Sequence, residues 1–334
     1  MYYKEDKHGQ ILQEGINEAG AMSSWIAAAT SYSTHGIQMI PFFIFYSMFG
    51  FQRIGDLAWA AGDMRCRGFL LGGTAGRTTL NGEGLQHEDG HSHIVASTIP
   101  NCVAYDPAFA YEVAVIIQDG LRRMYQEQED IYYYITVMNE NYSHPEMPAG
   151  ADKDILKGMY LFREGEKKTE ARVQLLGAGT ILREVIAAAE LLKTDFDVAA
   201  DIWSVTSFNE LRREALAVTR WNLLHPDQPA KTSHVENCFK GRQGPVVAAT
   251  DYMKLYADQI REFIPGKYRV LGTDGFGRSD TRERLRHFFE VDRFYITVAA
   301  LKILAEEGVI STQRVVQAIE KYGIYPEKPN PAIS

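Results

Sequence analysis

The sequence predicts an α/β protein of two tandem domains, each with a mostly parallel sheet flanked by helices. Short apolar runs alternate with stretches of helical spacing along the chain, a pattern typical of βαβ units. A polar interval that contains prolines, 141–170, interrupts this alternation, which then restarts. A length of 334 residues is also more than one ordinary hydrophobic core organises.

In the first predicted domain, residues 1–140, the elements alternate in chain order. Apolar residues at helical spacing predict a helix over 13–32, and the run MIPFFIFYS predicts a strand at 39–47 that is buried on both faces. We expect Asp106 to be the N-cap of a later helix, with Pro107 in its first turn. The remaining predicted elements are a helix at 51–64, strands at 68–73 and 99–107, a helix at 108–125 and a strand at 130–140.

After the linker predicted at 141–170, the same alternation fills the second domain, residues 171–334. Its predicted strands lie at 173–179, 199–207, 244–251 and 267–274. Its predicted helices lie at 180–193, 208–224, 252–263, 281–291, 294–308 and 311–323. Ser311 is the expected N-cap of the last helix, because a serine hydroxyl accepts from the free amides of a first turn.

Composition excludes several classes of function. The formal net charge of −8 argues against nucleic-acid or anionic-membrane partners, which require an excess of lysine and arginine. No apolar run is long enough to span a bilayer, and MYYKEDKHGQ lacks the pattern of a signal peptide. Three widely spaced cysteines favour the reducing cytoplasm over a disulfide framework.

The segment GEGLQHEDGHSH, residues 82–93, contains a literal match to the zinc-protease signature H-E-x-x-H. That chemistry needs His87 and His91 one turn apart on a regular helix. Glycines within and just before the match disfavour the helix, so we expect no metal here. A polar loop with capping roles and a catalytic loop without metal both stay open.

Two other motifs are weak by themselves. LGGTAGRTTLNGEG at 71–84 is rich in glycine but fits neither the P-loop nor the dinucleotide-binding pattern. Glu14 and Glu18 lie four residues apart at the start of a predicted helix. They are either surface carboxylates favoured by the helix dipole or an acid that faces a ligand.

Taken together, four segments resemble the thiamine-diphosphate enzymes of the transketolase group, and within it the homodimeric bacterial pyruvate dehydrogenases. The resemblance extends over essentially the whole chain. The segments, in order, are EGINEAGAMSSWIAAATSY, MIPFFIFYSMFGFQRIGDLAWAAGD, TTLNGEGLQHEDGHSH and GTDGFGRSDTRERLRHFFEVD. It implies a transketolase-like pyrimidine-binding domain followed by a transketolase-like C-terminal domain.

The resemblance also assigns residues to the cofactor, thiamine diphosphate. Glu18 would bind the aminopyrimidine ring nitrogen and exchange a proton with it. Phe49 would lie against the pyrimidine ring. Tyr46 and Arg53 would lie near the substrate or support that wall, with Tyr46 a candidate catalytic residue. Core packing remains the expectation for the other aromatic residues of the segment, Phe42, Phe43 and Phe45.

On the substrate side, the resemblance makes His87 a hydrogen-bond donor to pyruvate. Glu83 and His91 are weaker candidates that would support the site from behind, and His93 is expected to be structural. The implied reaction is decarboxylation of pyruvate, followed by acetyl transfer to the lipoyl domain of dihydrolipoyl acetyltransferase. A homodimer is the expected assembly.

One departure from the group is an absence. Its members bind the diphosphate through Mg²⁺ in an N-terminal domain with a G-D-G signature, and this sequence has no G-D-G. We therefore expect the chain to be the C-terminal portion of a longer enzyme, to lack the start of its first domain and to be inactive alone. The alternatives are a non-catalytic scaffold or regulatory fragment of the complex, and a sister enzyme of the transketolase type.

The segment GTDGFGRSDTRE gives no functional prediction of its own. Its glycines predict a turn, and Ser279 or Asp280 is the expected N-cap of the helix that follows. The free amides of that helix could hold an anion, although a structural cap is the simpler interpretation.

Overall fold

The fold is α/β with mostly parallel sheets flanked by helices, as the sequence predicts. The computed structural model describes residues 4–166 and 171–334. Residues 1–3 of the first predicted domain and 167–170 of the predicted linker lie outside the described residues. None of the helices in the described parts of the chain has the length and apolar surface that a membrane span requires.

The first sheet contains four parallel strands in the order β1-β2-β4-β3. They are β1 (Phe42–Tyr46), β2 (Phe69–Gly73), β3 (Cys102–Tyr105) and β4 (Tyr132–Thr136). The helices around it are α1 (Glu18–Ala29), α2 (Ser31–Thr34), α3 (Ser47–Asp63), α4 (Ser92–Ala96) and α5 (Ala110–Leu121). Asn17 caps α1 by accepting from the amide of Gly20, so this helix begins later than predicted.

Strand β1 differs from its prediction as a strand buried on both faces. Phe42, Ile44 and Tyr46 are 46%, 68% and 46% exposed, because β1 is an edge strand of the sheet. Of the aromatics expected to pack in the core, Phe45 is buried, but the expectation was wrong for Phe42, which is exposed on this edge strand. Helix α3 follows β1 directly and starts at Ser47, four residues earlier than predicted. Gly50 permits this, since a Cβ there would lie 2.0 Å from the Phe45 ring.

The prediction of Asp106 as a helix N-cap was wrong. Helix α5 starts at Ala110, and the residue at its N-cap is Phe109. Asp106 is fully buried instead, and its carboxyl accepts from the Thr136 hydroxyl at 2.7 Å. Glu112 supplies the missing cap by accepting from the amides of Ala108 and Phe109.

The second sheet has the order β5-β7-β6-β8-β9, with β5 antiparallel to β7 and the other pairs parallel. Its strands are β5 (Met159–Arg163), β6 (Arg172–Gly177), β7 (Ala199–Val205), β8 (Val246–Ala249) and β9 (Tyr268–Leu271). The interval predicted as a linker contains β5 and the short helix α6 (Asp152–Lys157). The division of the chain at 141–170 stays a prediction.

Helices of the second half follow the predicted order with different ends. They are α7 (Leu182–Phe196), α8 (Phe208–Leu224), α9 (His234–Phe239), α10 (Lys254–Asp258), α11 (Arg282–Phe288), α12 (Arg293–Glu306) and α13 (Thr312–Lys321). Ser311 is at the N-cap position of α13, as predicted, but its hydroxyl makes no capping hydrogen bond in the described structure. The N-cap of α11 is Thr281, whose hydroxyl accepts from the Arg284 amide, so neither Ser279 nor Asp280 has the predicted role.

The hydrophobic core covers both faces of each sheet. One face of the first sheet packs against α1 and α3 through a cluster that includes Met22, Trp25 and Ile54. Its other face packs against α5 through Phe69, Ile116 and Tyr133. Burial of these large side chains supplies most of the driving force that holds the helices to the strands.

Candidate active site

Five of the residues singled out in the sequence lie together beside the carboxyl end of β1. Tyr46 is the last residue of this strand, and Phe49 and Arg53 follow on the first turns of α3. Glu18 is the first residue of α1, and His87 ends a 3₁₀ turn at Leu85–His87. The carboxyl ends of parallel strands are where α/β proteins commonly place their ligands.

A chain of direct contacts connects these five side chains. The Arg53 guanidinium donates from Nη1 to Glu18 Oε1 at 2.6 Å and lies over the Phe49 ring, with Cζ 4.3 Å from the centroid. Phe49 meets the His87 ring edge-on at a centroid distance of 4.8 Å. Tyr46 meets the same imidazole edge-on at 5.4 Å.

The imidazole of His87 has a polar atom without a partner. Its Nδ1 is buried and makes no hydrogen bond within the described residues. Two aromatic rings restrict its orientation. A buried ring nitrogen without a partner is costly, and a hydrogen bond to a ligand would remove that cost.

Glu18 and Arg53 form the charged side of the cluster. The carboxylate of Glu18 is 18% exposed, whereas the arginine side chain is 48% exposed. Glu14, the other carboxylate of the segment, lies apart from this pair and accepts from the Ser24 hydroxyl. The spacing in the sequence does not show which of the two carboxylates faces the site. In the structure Glu18 pairs with Arg53, and Glu14 pairs with Ser24.

The remaining histidines and Glu83 lie outside this cluster. Glu83 is exposed on the loop. Nε2 of His91 lies 3.1 Å from Nε2 of Gln52, the neighbour of Arg53 on α3. His93 is fully buried, and its Nε2 lies 2.9 Å from the Thr136 hydroxyl. Burial lowers the pKa of His93 to about 4, so this ring is neutral at pH 7.

The H-E-x-x-H match does not lie on one helix. His87 ends the 3₁₀ turn, and His91 precedes α4 with φ −149°. In residues 4–166 and 171–334, no group of three or more histidine, cysteine, aspartate or glutamate side chains could hold a metal ion.

Two acidic residues inside the histidine loop, Glu88 and Asp89, determine its conformation, and they were not identified from the sequence. Asp89 accepts from the amides of His91 and Ser92, each at 3.0 Å. Glu88 is fully buried, and its Oε2 accepts from the Arg278 amide at 2.6 Å. Burial raises the pKa of Glu88 to about 8. Nothing local marks Glu88 as buried, since it lies in a polar run and its partner is distant in sequence.

Asp251, just after β8, anchors the segment that leads into the histidine loop. Its Oδ1 accepts from the Thr78 amide and hydroxyl at 2.8 and 2.6 Å. Its Oδ2 accepts from the Thr79 amide and hydroxyl at 3.1 and 2.5 Å. Gly76 permits this approach, because a Cβ there would lie 2.3 Å from Oδ2. The candidate site is therefore held by residues from both sheets.

Comparison with known families gives two matches along the chain. Residues 1–145 match the middle domain of the pyruvate dehydrogenase E1 component. Residues 158–292 match the transketolase-like C-terminal domain.

Curated relatives match the chain from end to end. The pyruvate dehydrogenase E1 component of Cupriavidus necator is 68% identical over 332 residues, which cover 99% of this chain and 37% of the relative. That of Pseudomonas aeruginosa is 69% identical, with 99% and 38% covered. That of Escherichia coli is 60% identical, with 100% and 37% covered. The chain thus spans between a third and two fifths of these relatives.

Solved structures show the same fold at low identity. Transketolase from Campylobacter jejuni has a TM-score of 0.64 at 18% identity, covering 83% of this chain and 38% of that chain. A split-gene transketolase, described as an inactive β4 tetramer, has a TM-score of 0.59 at 16% identity, covering 87% and 83%.

Proposed function

The chain belongs to the pyruvate dehydrogenase E1 family, and on this basis we propose that its first sheet forms one wall of an active site that decarboxylates pyruvate with thiamine diphosphate. The observation that carries the proposal is the convergence of Glu18, Phe49 and His87 on one end of β1. Because the chain spans 37% of the Cupriavidus relative, we assign this activity to an enzyme that also contains the rest of that length.

The side chains present fit the pyrimidine part of thiamine diphosphate. Glu18 offers a carboxylate that can share a proton with a ring nitrogen. Phe49 offers an aromatic face, and His87 Nδ1 is buried without a hydrogen-bond partner among the residues that the structure describes. When bound, the cofactor supplies the electron sink for loss of CO₂ from a 2-oxo acid.

Glu18 and Arg53 have complementary tasks in this proposal. Glu18 holds or releases a proton at its carboxyl oxygen, and Arg53 keeps that group oriented through the 2.6 Å contact. The guanidinium lies on the Phe49 face. When the pyrimidine ring of the cofactor binds against Phe49, the guanidinium either stays on part of the same aromatic face or moves off it.

His87 and Tyr46 act on the substrate side. His87, held between Tyr46 and Phe49, acts as a hydrogen-bond donor to the pyruvate carboxylate. Tyr46 restricts the imidazole by its edge contact. His91 lies against Gln52 outside the cluster, and Glu83 stays a weaker candidate for a supporting role.

The remaining assignments come from the family. We assign the ligands of Mg²⁺ and of the diphosphate to the part of the relatives that this chain does not span, since the G-D-G signature is not in this sequence. The proposed partners are pyruvate, the lipoyl domain of the acetyltransferase and a second copy in a homodimer. The proposed compartment is the cytoplasm.

Pyruvate is favoured over the sugar phosphates of a sister transketolase. Relatives named pyruvate dehydrogenase E1 component are 60% to 69% identical to this chain. The transketolase structures share 18% and 16% identity. A scaffold role without catalysis would leave the cluster at β1 without a task.

The decisive experiment is a chimera in which this chain replaces the corresponding 37% of the Escherichia coli relative. We expect decarboxylation of pyruvate, and we expect the isolated chain to bind thiamine diphosphate weakly without turnover. In the chimera, His87→Ala should lower kcat about 10²- to 10⁴-fold. The exposed His35 provides a matched control, because His35→Ala should leave kcat unchanged.

Replacement of Glu18 tests the cofactor side. Glu18→Gln in the chimera should abolish most turnover, whereas the same change at Glu14 should not. A folded chimera that binds thiamine diphosphate but does not consume pyruvate would refute the proposal. So would full activity of the chain alone or of the His87→Ala chimera.

A further inference from the structure

We propose that residues 273–282, which we name the docking segment, position His87 by holding its loop from the second sheet. The inference rests on the proposed function of His87 and assigns a role to a segment that the mechanism above does not use. The hydrogen bonds of the docking segment to the histidine loop end on residues next to the active-site cluster, and none of these bonds ends on Glu18, Tyr46, Phe49, Arg53 or His87. The docking segment therefore acts through the loop as a positioning element.

The docking segment and the stretch 77–88 are joined by five hydrogen bonds. Arginine side chains donate three of them to backbone carbonyls: Arg77 Nη1 to Thr273 O at 2.9 Å and to Gly275 O, and Arg282 Nε to Thr79 O at 2.7 Å. Backbone amides donate the other two: Gly82 N to Asp280 O at 3.2 Å, and Arg278 N to the buried Glu88 Oε2 at 2.6 Å.

The contact at Glu88 is the one nearest to the imidazole. Glu88 directly follows His87 and is fully buried. One carboxyl oxygen accepts from the Arg278 amide, and the other has no hydrogen-bond partner in the described chain. Because adjacent residues share a peptide unit, fixing the Glu88 side chain restricts the backbone from which the His87 ring projects.

Gly277 brings the two segments into van der Waals contact. A Cβ at this position would lie 2.4 Å from the Leu85 carbonyl oxygen and 2.9 Å from Glu88 Cβ. Leu85 begins the 3₁₀ turn that ends at His87. The turn therefore rests against the docking segment with no space for one additional methyl group.

The proposal can be tested on the isolated chain through the His87 ring, without any assay of pyruvate. The probe is the ¹H–¹³C spectrum of the imidazoles, with the His87 signal assigned by its loss in His87→Gln. Hydrogen exchange of the His87 amide, which donates to Gly84 O at 2.9 Å, provides a second probe. Neither readout depends on whether the chain belongs to an active decarboxylase.

Gly277→Ala should shift the His87 signal and accelerate exchange of its amide about tenfold or more. Exchange in β9 should stay unchanged. Gly55→Ala is the control, because a Cβ there meets nothing within 4 Å. An unchanged His87 signal in folded Gly277→Ala would overturn the proposal.

A pair of substitutions at Glu88 keeps the proposal testable if Gly277→Ala fails to fold. Glu88→Gln retains an acceptor for the Arg278 amide and should preserve the His87 signal, whereas Glu88→Ala removes it and should shift the signal. Equal effects of the two changes would overturn the proposal. In the chimera, Glu88→Ala should lower kcat with unchanged affinity for thiamine diphosphate, and Glu88→Gln should restore kcat. A chimera that is inactive from the start would contradict the proposed function alone.

Discussion

Replacement of Asp251 by asparagine tests how strongly the second sheet anchors the segment before the histidine loop. The carboxylate accepts four hydrogen bonds, two at each oxygen, from Thr78 and Thr79. Asparagine retains one of these oxygens and places an amide group at the other. If this amide group replaces Oδ2, the Thr79 amide and hydroxyl both face a hydrogen-bond donor. The hydroxyl can rotate and accept from it, but the backbone amide cannot.

The magnitude follows from the donor that remains. The Thr79 amide would be buried without an acceptor, which costs about 1–3 kcal/mol. Burial raises the pKa of Asp251, so the neutral amide avoids part of the desolvation that the carboxylate suffers. We therefore expect a net loss of about 2 kcal/mol in the local opening free energy of this segment.

Hydrogen exchange is the appropriate assay, because a chain with two sheets need not unfold in one step. A loss of about 2 kcal/mol corresponds to roughly thirtyfold faster exchange of the Thr78 and Thr79 amides. The exposed Asp227 provides the control, since Asp227→Asn should change exchange by less than about twofold. Equal or slower exchange in Asp251→Asn would refute the reasoning. Desolvation of the carboxylate would then outweigh its four hydrogen bonds.

Three further predictions concern pH, backbone strain and thiol chemistry. Burial raises the pKa of Glu88 from 4.5 to about 8, so its contribution to stability is fully present below about pH 4.5 and is lost as the pH rises towards 8. In Glu88→Gln, the urea midpoint should therefore decrease less between pH 4.5 and pH 8 than it does in the unsubstituted chain. An equal decrease in both would contradict the raised pKa of Glu88. At Gly244, φ is +87° and a Cβ would lie 1.9 Å from the Arg172 carbonyl oxygen. Gly244→Ala should therefore lower the free energy of unfolding, measured by thermal denaturation, by about 3 kcal/mol or more. Gly241 is the control: its φ is +76° but its surroundings are open, so Gly241→Ala should lower it by about 1 kcal/mol. Equal losses in the two variants would exclude the clash as the cause. Burial raises the pKa of all three cysteine thiols to about 12, so iodoacetamide at neutral pH should label them only after unfolding, and rapid labelling of the native chain would contradict this.

Much of the fold could be predicted because periodicity is a local property. The run VQLLGAG indicates a buried strand, and the structure has β6 there. The failures arise where a partner lies far away in sequence. Asp106 followed by proline has the composition of an N-cap. In the structure its buried carboxyl instead accepts a hydrogen bond from the hydroxyl of Thr136, 30 residues further along the chain.

The candidate site likewise contains residues that the sequence identifies and a residue that it does not. Glu18, Phe49 and His87 were recognised by resemblance of whole segments, and the structure brings their side chains together. Their assigned roles stay predictions. Glu88 could not be identified, because its burial depends on Arg278, which lies 190 residues away. A single sequence without pairing information does not encode that contact in any local pattern.

The contacts between 77–88 and the docking segment also determine when the loop can form during synthesis. The pairs join residues 190, 196 and 203 positions apart. Closing such long intervals costs chain entropy before any contact compensates for it, so these pairs form late. All strands of the first sheet, which ends at Thr136, can be complete on the ribosome before the docking segment holds the His87 loop. In the nascent chain, only Tyr46 and Phe49 then restrict the imidazole, and the docking segment completes its placement once Arg282 has emerged.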